Sequence, residues 1–67
     1  MRDQGDVLVY DSHFLYHLKQ TIPVQVYDQT GAHVGIGHVA RFNEHFVEID
    51  NTLYNRLRFT FVSRPGY

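Results

Sequence analysis

A chain of 67 residues with no cysteine is too small to bury a large core, and neither a disulfide nor a thiolate metal site reinforces it. Six basic against seven acidic side chains leave a formal net charge of −1, so no general field attracts nucleic acid and any anion contact must be local and borne by arginine. No apolar run approaches the ~20 residues of a membrane span, and the acidic start MRDQGDVLVYD has too short an apolar piece for a signal peptide. The expectation is a soluble cytoplasmic protein, and self-association is the reinforcement left for so small a domain.

Residues 1–10 read as a flexible lead with room for one short strand, VLVY. DSHFLYHLKQ, residues 11–20, then predicts a short amphipathic helix. Asp11 or Ser12 is placed to cap it, and Phe14, Leu15 and Leu18 fall on one face. Lys19 suits the negative end of the helix dipole, and Pro23 stops the helix because it lacks an N–H and forces Ile22 towards extended geometry.

PVQVYDQ alternates, with Val24 and Val26 facing one way and Gln25 and Tyr27 the other. Gln29 to Ala32 reads as a turn in which Gly31 adopts positive φ. HVGIGHVARF is then a strand with glycines in its middle, which weakens it unless they serve a purpose. Val34 and Ile36 share one face and Val39 has the opposite parity, so a bulge within Gly35–His38 is expected to bend the strand and restore register.

Asn43-Glu44-His45 makes the next turn. In FVEID, Val47 and Ile49 face the core while Phe46, Glu48 and Asp50 face away. After a turn at Asp50–Thr52, LYNRLRFTFVSR reads as one or two strands, with Leu57, Phe59 and Phe61 alternating against Arg56, Arg58, Thr60 and Val62. Residues 65–67 form a tail. The chain is thus expected to be mainly β: a short N-terminal helix, then a strongly bent small barrel of four or five antiparallel strands, over residues 11–64. Curling a short sheet in this way removes most of its open edge.

These residues resemble the Sm-like family, in particular its bacterial Hfq-type RNA-chaperone branch. DSHFLYHLK is similar to that branch's opening helix and PVQVYDQTG to its first strand and turn. HVGIGHVARF with FVEIDNT is similar to its bent second strand and third strand. Uncharacterised Sm-like proteins of spore-forming Gram-positive bacteria are a second group of similar chains. The resemblance implies a homo-oligomeric ring of six or seven subunits, built by pairing the last strand with a neighbour, that binds single-stranded RNA at its pore and faces.

Carried onto this chain, Tyr27 and Phe46 would stack on bases, and Asn43 and His45 would hydrogen-bond base edges. Arg56, Lys19 and Arg41 would contact phosphates. Tyr54-Asn55-Arg56-Leu57 stands where that branch carries a lysine–histidine pair before its last strand. A second function is therefore open: a structural or protein-interaction module, an assembly factor for example, that keeps the barrel without RNA binding.

Other chemistry is poorly served. His13 and His17 have i,i+4 spacing but no third ligand nearby, so they read as exposed surface and no metal is expected. There is no glycine-rich loop ahead of a helix, and the aspartate, serine and histidine of DSHF are sequence neighbours that cannot form a triad. Neither an enzyme nor a cofactor is expected.

Overall fold

A computed structural model of the chain describes residues 5–67. The first part of the predicted lead, residues 1–4, lies outside the described residues. The elements are β1 (Val7–Leu8), α1 (Asp11–Lys19), β2 (Val24–Tyr27), β3 (His33–Gly37), β4 (Val39–Phe42), β5 (Phe46–Ile49), β6 (Thr52–Asn55) and β7 (Thr60–Ser63). They form two antiparallel sheets, ordered β1-β7-β2-β3 and β4-β5-β6. The fold is mainly β, as expected, and among the described residues no closed barrel is found. The glycine-bearing strand breaks at His38, its two halves enter different sheets, and β1, β3, β4 and β6 are left as outer strands.

Between the sheets and under the helix lies one core of Leu8, Phe14, Val24, Val26, Val39, Val47, Ile49, Tyr54 and Phe61, with Leu18, Phe42 and Phe59 packed at its margin. The aromatic part is built of edge-on contacts, Phe14 on Phe61 at 5.4 Å and Tyr54 on Phe59 at 5.1 Å. Edge-to-face geometry suits the ring quadrupoles, and each such pair adds roughly 0.5–1.5 kcal/mol beyond its buried area.

The glycines are the core-facing residues of β3, which reverses the predicted parity. Val24 pairs with Gly37 and Val26 with Gly35, and both valines are fully buried. Directly opposed residues in an antiparallel ladder share a face. Val34 is instead skipped by the ladder and stands 44% exposed. A side chain at Gly35 would force Tyr54 to shift, and one at Gly37 would be tightly crowded. A Cβ on Gly35 would overlap Tyr54 Oη and lie 3.3 Å from Cζ, and one on Gly37 would lie 3.1 Å from Ile49 Cγ2. Glycine is used for the close approach of the second sheet. The single bulge expected in Gly35–His38 is replaced by two register shifts flanking the break, one at Val34 and one at Ala40.

Helix α1 is capped differently from expectation. Tyr10 is the N-cap residue, and His13 Nδ1 accepts hydrogen bonds from the backbone N–H groups of Val9 (2.8 Å) and Tyr10 (3.2 Å). Leu15 is 43% exposed, whereas His17 is fully buried beside Phe14, so the predicted apolar face is shifted. The two histidines are therefore not a surface pair. His17 Nδ1 lies 2.8 Å from His13 O, and Nε2 lies 2.7 Å from Ser63 Oγ, also fully buried. A carbonyl only accepts, so Nδ1 donates to it, and in the neutral ring Nε2 accepts from the serine hydroxyl. The pair joins helix to β7 with a satisfied polar contact, which a dry core requires.

The last segment is two strands. Between them Asn55 Oδ1 accepts from Leu57 N–H and Asn55 O from Arg58 and Phe59 N–H, forming a turn. Leu57, predicted to face the core, stands 92% exposed at the tip of this turn, and Arg56 and Arg58 share the turn rather than a strand face. Strand β7 is paired along both edges. β2 lies on one side and β1 on the other, through Val7 with Val62 and Leu8 with Phe61. Asp6 O accepts from Ser63 N–H and Ser63 O from Gly5 N–H, each at 2.8 Å. Among the described residues no helix is long and apolar enough to cross a membrane.

Candidate interaction site

The turn between β4 and β5 is built by Asn43, whose Oδ1 accepts from the N–H groups of His45 and Phe46, both at 2.8 Å. This side-chain mimic of a backbone turn explains why asparagine opens the segment. It also commits the amide oxygen that was expected to read a base edge. His45 projects into solvent, with Nε2 3.2 Å from Glu44 Oε1.

Beside this turn, the outer face of β4–β5–β6 carries a groove of about 270 Å3 lined by Arg41, Phe42, Asn43, Phe46, Glu48 and Leu53. Pairing makes the arrangement. Glu48 stands opposite Arg41 on one side and Leu53 on the other, so the three share the outer face. Phe46 is 39% and Leu53 59% exposed, giving the groove an apolar floor and rim. Its cation is paired at one nitrogen: Arg41 Nε lies 2.5 Å from Glu48 Oε1. Leu53 was not singled out in the sequence because one-residue parity decides whether it or Tyr54 faces inward.

Arg56 serves a different end from the one predicted. Its side chain is only 12% exposed, and its Nη1 donates to Asp11 Oδ1 (2.7 Å) and Asn43 O (2.6 Å). Nη2 donates to Val9 O at 3.0 Å, and the guanidinium carbon sits 4.6 Å from the Phe14 ring centroid. One side chain thus ties the end of β1, the start of α1 and the β4–β5 turn to the core. With these donors engaged, Arg56 acts as a clasp between these segments. A second hollow of about 230 Å3 beside it is lined by Leu8, Val9, Phe14, Glu44, Arg56 and Leu57.

The other two predicted residues lie elsewhere. Tyr27, half-buried on β2, donates its hydroxyl to Gln25 Oε1 at 3.3 Å and meets the His33 ring edge-on at 5.3 Å. Lys19 ends α1, exposed. Of the seven predicted RNA contacts, Arg41, Asn43 and Phe46 line one groove, and neither Tyr27 nor Lys19 joins them. Among the described residues no three histidine, aspartate or glutamate side chains are grouped to hold a metal.

Next to Tyr27, Asp28 organises the β2–β3 turn. Its Oδ1 accepts from Thr30 N–H and Oγ1 and from Ala32 N–H, and Gly31 takes φ +87. The hydrogen bond from the Thr30 hydroxyl, followed by that from the Ala32 backbone, holds the Asp28 carboxyl below its ordinary value of 3.8. A carboxyl depressed in the folded state stabilises above its unfolded value, and that contribution is lost as pH falls through the folded value. The melting-temperature gap between the native chain and Asp28→Ala should therefore be constant near neutrality and shrink below the ordinary carboxylate range. A gap that widens on acidification would contradict the assignment.

No protein-family model, curated protein or solved structure matches this chain.

Proposed function

We propose that the chain is a small β domain whose work is protein interaction, with the Phe46–Leu53 groove and the neighbouring β6 edge as the contact surface. The observation that carries this is the chemistry of the groove: an exposed aromatic and an exposed leucine around a cation held by Glu48. Such a surface suits an apolar side chain flanked by polar groups, the usual composition of a protein contact. A phosphate at Arg41 would lie against the Glu48 carboxylate that already pairs with its Nε, and the chain's net charge gives it no help.

Single-stranded RNA binding is the second function retained, because Phe46 presents a ring beside Arg41 in one groove. Capture experiments with the native chain, Phe46→Ala and Leu53→Asp separate the two. Protein interaction predicts that protein captured from cell extract survives nuclease treatment and falls about tenfold or more with each variant, the loss of one contact of hot-spot size. Capture of nothing, or nuclease-sensitive capture, would overturn it. Binding of uridine- or adenine-rich oligomers that weakens with salt and with Phe46→Ala would establish the RNA function instead.

A further inference from the structure

The two sheets have four outer strands, β1, β3, β4 and β6, and they are not equivalent: β3 and β4, the halves of the broken strand, each carry a register shift. β1 is two residues long, and its continuation is closed off: Val9 N–H donates to His13 Nδ1 and Val9 O accepts from Arg56. Short edges with their backbone groups consumed are how monomers avoid pairing with one another. β6 has no such protection. Thr52–Asn55 carries no charge and no proline, and its ladder with β5 runs without a register shift.

The outward groups of β6 follow from its pairing. Arg56 N–H donates to His45 O, which continues the β5–β6 ladder in register. Backbone groups alternate between the two sides of a strand, so Tyr54 points its N–H and C=O at β5 while Leu53 and Asn55 point theirs away. Asn55 O is taken by the turn that follows. Leu53 therefore presents its backbone donor and acceptor together on the open edge, with its side chain on the outer face.

We infer that β6 pairs antiparallel with β6 of a second copy, across a two-fold axis through Leu53. This rests on the protein-interaction proposal and names its partner. Only registers that match like faces are allowed, and placing Leu53 opposite Leu53 of the second copy meets that condition. It sets Thr52 opposite Tyr54 on the inner face and stacks the two leucines on the outer one, while both leucine backbones exchange hydrogen bonds. The charges agree. Asp50 precedes β6 and Arg58 follows it, both exposed, and an antiparallel pair brings the acidic end of each strand to the basic end of the other. A two-fold contact is also the commonest closed symmetry. The contact is small, so the dimer is weak and concentration-dependent.

The experiment is light scattering and sedimentation of the full chain across a concentration series, with a single-thiol cross-link. The chain has no cysteine, so Leu53→Cys carries the only thiol. Hydrogen-bonded residue pairs across an antiparallel ladder have Cα atoms about 5.5 Å apart, inside the disulfide range. The native chain should move from one to two chains as concentration rises, and Leu53→Asp should stay monomeric with an unchanged melting temperature. Mild oxidation should convert Leu53→Cys to covalent dimer at least about tenfold faster than Val34→Cys, which lies on the other sheet. A monomer at about 1 mM, beyond any specific affinity worth the name, would overturn the inference. So would a larger closed oligomer, or a dimer in which Leu53→Cys fails to cross-link. If the chain stays monomeric yet Leu53→Asp still abolishes capture of another protein, the partner is a different chain and the protein-interaction proposal stands.

Discussion

Arg56→Ala is expected to lower the unfolding free energy by about 2–4 kcal/mol, from two charge-assisted bonds to carbonyls and one ring contact. The ion pair with Asp11 adds little, because that carboxylate is 72% exposed and screened by water. The bonds to Val9 O and Asn43 O matter more, since they hold the segment after β1 and the β4–β5 turn on one guanidinium. For a domain of this length, whose total stability is on the order of 3–10 kcal/mol, the loss is a large share. Arg56→Lys should recover only part of it, as one ammonium cannot reproduce the planar fork that serves three elements. Urea unfolding measures the stability, and hydrogen exchange should show the β1 amides opening first. A change within about 0.5 kcal/mol, the scale of an ordinary surface substitution, would mean that the guanidinium is not a clasp. That outcome would return Arg56 to the candidates for phosphate contact.

Gly35→Ala should destabilise by about 1–3 kcal/mol, the range for forcing extra volume into a packed core. The added methyl meets the Tyr54 phenol, which is 8% exposed and held between Phe59 and Phe61, so the ring has little room to withdraw. Removing the hydroxyl in Tyr54→Phe should relieve the overlap. The double variant is expected to be less destabilised than the sum of the single ones, a coupling that contacting residues show and distant ones do not. Additive effects would locate the cost of Gly35→Ala in the strand itself rather than in the tyrosine.

What could be read along the chain was whatever depends on a few adjacent residues. Pro23 and the run Phe14 to Leu18 mark the short helix, the alternation of Val24 with Val26 and of Val47 with Ile49 marks core strands, and Asn43 and Gly31 mark turns. What could not be read was parity after an interruption. Val34 and Ile36 looked like the inner face because they are apolar, yet the ladder gives that face to Gly35 and Gly37. No local rule shows that a tyrosine nineteen positions further on, Tyr54, needs the space. Leu57 failed for the same reason: a strand-like alternation runs through a turn that Asn55 makes with its own side chain.

The candidate site divides along the same line. Phe46 was legible as an outward aromatic, because it precedes two buried residues of fixed parity. Arg56 was legible as a cation, but its engagement depends on three partners between thirteen and forty-seven residues away in sequence.

By itself the sequence determined a small, mainly β chain with one short helix, because hydrophobic period, proline and turn residues act over a few positions. Only the tertiary structure decided that the strands form two sheets, that the glycines face the core, that Arg56 bridges three segments and that β6 is an outer strand with an unbroken ladder. Each of those depends on pairing register and on side chains meeting across long stretches of chain, where a shift of one residue reverses which groups face water.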